Sequence, residues 1–232
     1  LLHPLAAGGV PTQAPLSLQH IDGPAVFKPH HFCEKSSWPE PSSARFFSPA
    51  WLGARPRRKG VVEFQGFANG SQTVNYQLSV PNPSASGSTS AGGFKVLLDG
   101  TTSVTTYCID LLQHISLGGS YDDYTEVAGS AHVFANTRAH DDIGRLFSAG
   151  HEVNDATEQA AFQIAIWELA YETSPTSYDV DSGAARFFGG TAANGALALA
   201  DDWLSNLGSI NNVSVRVLES PSHQDQVFAN PV

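Results

Sequence analysis

Residues 61–67 (Val61-Val62-Glu63-Phe64-Gln65-Gly66-Phe67) and residues 73–80 alternate apolar and polar side chains. A period of two buries one face, so both predict strands, and Asn69-Gly70 between them supplies turn chemistry. Residues 81–93, rich in Ser, Gly and Pro, predict a loop. Residues 94–98, the Asp99-Gly100 turn and residues 101–112 predict a hairpin whose second strand carries Cys108. Residues 121–142 favour neither period. Residues 155–172 predict a helix: Asp155 and Glu158 form a D-x-x-E capping box, and strong helix formers follow. Phe162, Ile164, Ala165, Ile166, Trp167, Leu169 and Ala170 cover most of its circumference, which makes it a buried helix. Residues 192–207, stopped by Gly208, predict a second helix. Residues 212–218 alternate again, and residues 224–229 suggest one further strand. Strands flanking a helical middle give an α+β, β-rich fold with a buried helix and a second helix among the strands.

Composition sharpens this picture. The 232 residues are 41% hydrophobic and 15% charged, enough for a substantial core, and 21 glycines with 14 prolines suit a loop-rich β protein. No apolar run approaches the roughly 18 residues of a membrane span. The net charge of −10 is uneven. Residues 1–60 hold seven of the 12 basic side chains and three acids, a balance of +4, which leaves −14 for residues 61–232. Nine prolines also fall before residue 60. Residues 1–60 therefore read as an irregular segment dispensable for folding, and residues 61–232 as the folded domain. The basic cluster Arg55, Arg57, Arg58, Lys59 reads as a solvated, cleavage-prone joint. The acidic domain argues against nucleic acid as a partner. No secretion signal is legible at the start, so the expectation is that any export signal lies outside this stretch.

The histidines, among them His30, His31, His114, His132, His140 and His151, lack ligand spacing, and residues 179–183 begin like a calcium loop without its later glutamate. No metal or other cofactor is implied. Asp110 and Glu168 offer a carboxylate pair of the kind a hydrolase uses. Cys108, in Tyr107-Cys108-Ile109-Asp110, is open to three readings: a small buried hydrophobe, a disulfide partner of Cys33, or a reactive group.

Three stretches taken together give Cys108 a context. Tyr107-Cys108-Ile109-Asp110, then Phe162-Gln163-Ile164-Ala165-Ile166-Trp167-Glu168, then Gln224-Asp225-Gln226-Val227-Phe228 resemble the bacterial thioester domain family. Its motifs are an aromatic-Cys-apolar strand, a T-Q-x-A-apolar-W helix and a late strand glutamine. The resemblance covers residues 61–232. It implies that Cys108 and the late glutamine condense, losing ammonia, into an internal thioester. Gln226, followed directly by Val227 and Phe228, fits the family spacing, with Gln224 as the alternative. Phe162 stands where the family carries threonine. The A-F-Q-x-A-I-W-E form is similar to the branch found in exported Gram-negative proteins with a C-terminal Pro-Glu-Pro sorting tail, and residue 232 lies where such a tail would begin.

A thioester is an activated acyl group that survives only where water is excluded. On that chemistry the apolar helix with Trp167 supplies the dry wall, against the alternative of plain core packing. Gln163 bonds the acyl carbonyl, against the alternative of a helix–loop hydrogen bond, and Tyr107 and Asp110 are supporting residues. An amine-bearing surface ligand, such as a protein lysine, would be captured once, without enzymatic turnover. The expected setting is extracellular or at a cell surface, in adhesion or attachment. The alternatives are a non-covalent β-rich binding module, or a secreted hydrolase using Asp110 and Glu168.

Overall fold

The computed structural model describes residues 58–80, 84–173 and 177–231. The chain divides into two units, residues 1–51 and 52–232, and every described residue belongs to the second. Cys33, Arg55 and Arg57 lie outside the described residues.

In chain order the strands are β1 (Arg58–Phe67), β2 (Gln72–Leu78), β3 (Ala85–Ala91), β4 (Phe94–Leu98), β5 (Thr102–Cys108) and β6 (Ser120–Ala128). Helices α1 (Ala139–Ser148) and α2 (Ala156–Tyr171) follow, then β7 (Ala185–Phe188), α3 (Ala196–Ser205), β8 (Val213–Glu219) and β9 (Gln226–Pro231). The fold is β-rich and α+β. β1, β4, β5, β9, β8 and β6 close into a barrel in that order, while β3, β2 and β7 form a separate three-stranded sheet. Helix α2 packs against β5 of the barrel, against all three strands of the sheet, and against α1 and α3. That position explains its composition: every residue from Gln159 to Tyr171 is buried.

The start of α2 follows its sequence. The Asp155 carboxylate accepts from the Thr157 and Glu158 backbone N–H groups at 2.8 and 2.9 Å, and Glu158 returns the bond to Asp155 N–H at 3.3 Å. The β4–β5 hairpin turns at Asp99-Gly100, Asp99 having φ 50° and Gly100 φ 65°.

Four expectations change. β1 and β2 follow one another through Asn69-Gly70 yet never pair; β1 bonds β4 and β6, and β2 bonds β3 and β7. β1 begins at Arg58, so Arg58 and Lys59 are strand residues paired with Glu126 and Thr125 and not part of a joint. Within the expected 81–93 loop lies β3, an edge strand paired with β2 over its whole length. Its Ser/Gly-rich sequence has no apolar alternation, and cross-strand pairing supplies what propensity does not. The expected 192–207 helix is divided at Gly195, whose φ of 123° ends a 3₁₀ turn (Thr191–Asn194) and lets α3 start afresh.

Candidate functional site

β4 ends its pairing with β5 at Phe94 opposite Thr106. Beyond that point one edge of β5 has no strand beside it among the described residues, and Cys108 sits there. On its other edge β5 meets β9, with Tyr107 opposite Val227 and Cys108 opposite Gln226. The Ile109 N–H donates to the Asp225 carbonyl at 3.0 Å, whereas the Cys108 backbone bonds elsewhere. Cys108 and Gln226 are therefore a pair of the non-hydrogen-bonded kind, in which facing side chains stand closest. Cβ atoms in such a pair are about 4.5–5.5 Å apart, which a bond from a cysteine sulfur to a glutamine carboxamide carbon can span. Cys108 is 1% exposed and Gln226 0%, so the pair is out of water.

The open edge at Cys108 is covered by α2. Gln163 Oε1 accepts the Cys108 N–H at 2.9 Å and Nε2 donates to the Cys108 carbonyl at 2.8 Å, so its carboxamide replaces the missing strand. Of the two readings of Gln163, the structure favours a hydrogen bond from the helix to the neighbouring backbone: both ends of the carboxamide go to Cys108, and neither to an acyl carbonyl. Gln163 belongs to a ridge of side chains four residues apart. Gln159 Oε1 accepts from the Gly93 N–H and the Tyr107 hydroxyl at 3.0 and 3.3 Å, and Tyr171 Oη accepts the Leu111 N–H at 3.0 Å. Gly93 is required where the ridge passes, because a Cβ there would fall 2.6 Å from Gln159 Oε1.

Trp167 completes the ridge. Its ring, 1% exposed, stacks on Phe187 with centroids 5.8 Å apart. The indole N–H lies beside the Cys108 sulfur, close enough to favour its anion, yet among the described residues it meets no acceptor in hydrogen-bond geometry. The thiol itself points to the Asp110 carbonyl at 3.1 Å. Burial pushes the Cys108 thiol far above its ordinary range, with the Asp110 and Asp225 carboxylates adding to the effect and Trp167 opposing it. Such a sulfur is a neutral thiol when free, the opposite of an activated enzymatic cysteine.

Gln226 is held by its carboxamide. Its Oε1 accepts from the Thr106 hydroxyl at 3.1 Å, and its Nε2 donates to the Gln224 carbonyl and Oε1 at 3.3 and 3.2 Å. Gln224 precedes β9, donates to the Gln113 carbonyl at 3.2 Å, and is a neighbour of Gln226, not the residue facing Cys108. A cavity of about 250 Å³ reaches Cys108, Trp167 and Gln224 past Phe67, Phe94 and His114.

Tyr107 turns to the opposite face of β5, where its ring meets Phe162 at 4.7 Å and Phe147 at 6.0 Å. Phe162 thus serves as an aromatic anchor at the position where the motif carries threonine. Asp110 Oδ1 accepts the Leu112 N–H at 2.8 Å and shapes the turn after the cysteine. Glu168 lies elsewhere. Its Oε1 accepts the Asp179 N–H at 3.1 Å, its Oε2 has no partner among the described residues, and burial raises its pKa to about 9. Asp110 lines a cavity with His132, Tyr171 and Asp225, and Glu168 is not among the residues of that cavity.

Sequence reasoning missed Thr106 and Gln159. Each had a signal: Thr106 precedes Cys108 by one strand period, and Gln159 precedes Gln163 by one helical step. Among the described residues no group of three or more His, Cys, Asp or Glu side chains is placed to hold a metal ion, and no helix is long and apolar enough to cross a membrane.

No family model and no curated protein matches the sequence. Among solved structures, the chain is similar to the N-terminal domain of the Streptococcus pyogenes pilus tip adhesin Cpa, at 16% identity over 73% of this chain and 98% of that one, with a TM-score of 0.43. It is also similar to the N-terminal thioester domain of fibronectin-binding protein SfbI from Streptococcus pyogenes, at 14% identity over 80% and 99% of the two chains, with a TM-score of 0.47. At that distance the reading of the site rests on its own geometry.

Proposed function

We propose that this domain is an attachment module in which Cys108 and Gln226 condense into an internal thioester that captures a primary amine. The observation that carries the reading is the buried, directly opposed Cys108–Gln226 pair on β5 and β9. In the condensation the sulfur bonds the Gln226 carboxamide carbon, the carbon–nitrogen bond breaks, and the thiol proton leaves with the nitrogen as ammonia. The amine of a ligand, a protein lysine among them, then attacks the acyl carbon, expels the sulfur and leaves its proton there. The products are an amide and a Cys108 thiol. The cycle runs once, so the domain is a covalent trap and not an enzyme. Such a trap suits a surface or secreted adhesion protein, and the helix motif suits the exported Gram-negative branch with a Pro-Glu-Pro tail.

Methylamine tests the reading. It should add once per chain and release one thiol that maps to the peptide containing Cys108, and Cys108→Ala or Gln226→Ala should each abolish the addition. Wild-type protein that takes up no methylamine would overturn the proposal. One observation favours the second reading, a non-covalent binding module: as an amide, the Gln226 side chain is already fully hydrogen-bonded by Thr106 and Gln224.

A further inference from the structure

We infer that the indole N–H of Trp167 is a second donor, beside the Thr106 hydroxyl, that stabilises the oxyanion when an amine attacks the Cys108–Gln226 acyl carbon; this rests on the thioester reading above. A buried N–H without a partner is rare and needs an explanation. Trp167 Nε1 is such a group among the described residues, with the Cys108 sulfur beside it, and Trp167 lines the same cavity as Cys108. Stacking on Phe187 holds the ring, so the N–H is not free to swing toward another acceptor. Of the neighbouring donors, Gln163 Nε2 is engaged by the Cys108 carbonyl, and the Thr106 hydroxyl already bonds Gln226 Oε1, the acyl oxygen itself, so Trp167 adds a second donor to the one Thr106 supplies.

The chemistry of attack supplies the missing acceptor. A thiol sulfur accepts hydrogen bonds weakly. Once sulfur is bonded to the acyl carbon, the oxygen on that carbon stands one bond angle from the sulfur. When the amine nitrogen bonds the carbon, the carbonyl electron pair moves to this oxygen, which becomes a strong anionic acceptor. Collapse re-forms the carbonyl, breaks the carbon–sulfur bond, and the nitrogen's proton ends on sulfur. A fixed donor that is poorly satisfied before attack and well satisfied during it lowers the barrier, because its gain falls on the transition state alone.

The test uses the whole chain with two replacements of Trp167. Trp167→Phe keeps an aromatic ring, and benzothienylalanine at the same position keeps the bicyclic shape while placing sulfur where the N–H was. Thioester content is read by intact mass, folding by melting temperature, and reaction by the rate of methylamine addition. The expected result is an unchanged melting temperature in the benzothienylalanine protein, with addition, counted per thioester present, slower by about 10²–10³-fold, the usual effect of one oxyanion donor. A simple packing role would leave that rate at the wild-type value, and this outcome would overturn the inference while the thioester stands. A wild-type chain without a thioester would overturn both. Should Trp167→Phe fail to fold, the benzothienylalanine protein decides alone.

Discussion

The Gln163 carboxamide closes on both backbone groups of Cys108, receiving its N–H at 2.9 Å and donating to its carbonyl at 2.8 Å. Both groups are buried at a strand edge with no neighbouring strand among the described residues. Removing the carboxamide leaves a donor and an acceptor unmet, each costing about 1–3 kcal/mol. Gln163→Ala is therefore expected to destabilise the domain by roughly 2–6 kcal/mol in urea unfolding. Stability near that of wild type would show that the clamp is not what holds the Cys108 end of β5.

Trp167 fills space as well as presenting a donor. Truncation to alanine removes a fully buried bicyclic ring that stacks on Phe187. Trp167→Ala should cost about 3–5 kcal/mol, the range for large aromatic side chains removed from a core. The same unfolding experiment checks it, and a change below about 1 kcal/mol would contradict burial of the ring.

Glu168 predicts a pH dependence. Its carboxyl is fully buried, and burial first of all raises its pKa from the ordinary 4.5 to about 9. The folded state keeps the proton where the unfolded chain releases it. Stability from this group is therefore complete below pH 4.5 and falls as pH rises toward 9. Asp225, raised by burial to about 6, acts in the same direction over a lower range. Glu168→Gln keeps an acceptor for the Asp179 N–H and cannot ionise. Its denaturation midpoint, followed across this range, should decline less steeply with pH than that of wild type. Parallel pH profiles for the two proteins would contradict a neutral Glu168.

Helix α2 and the β4–β5 hairpin were legible in the sequence because each carries its own boundary chemistry: the Asp155–Glu158 box and the Asp99-Gly100 turn. β3 was not legible, since a run of Ser, Gly and Thr becomes a strand only when β2 lies beside it. Helix α1 was hidden for a related reason. It has no side-chain cap, and only part of one face, including Ile143 and Leu146, is buried. Barrel closure depends on pairs remote in sequence, such as β1 with β6, that no local period encodes. At the site, motif order pointed to Cys108, Gln163, Trp167 and Gln226. What it did not convey was which groups their hydrogen bonds satisfy. Gln163 serves a backbone edge that exists only because β4 stops short, and Gln226 is held by Thr106, a residue outside every motif.

The bond between Cys108 and Gln226 is tested most directly by the intact mass of the purified chain beside Cys108→Ala and Gln226→Ala. The account predicts a wild-type mass one ammonia below that calculated from the sequence, with the deficit absent from both variants and from wild type after exposure to methylamine, where the added amine is seen instead. A wild-type mass equal to the sequence mass, with a thiol at Cys108 that titrates on unfolding before any amine is added, would contradict it.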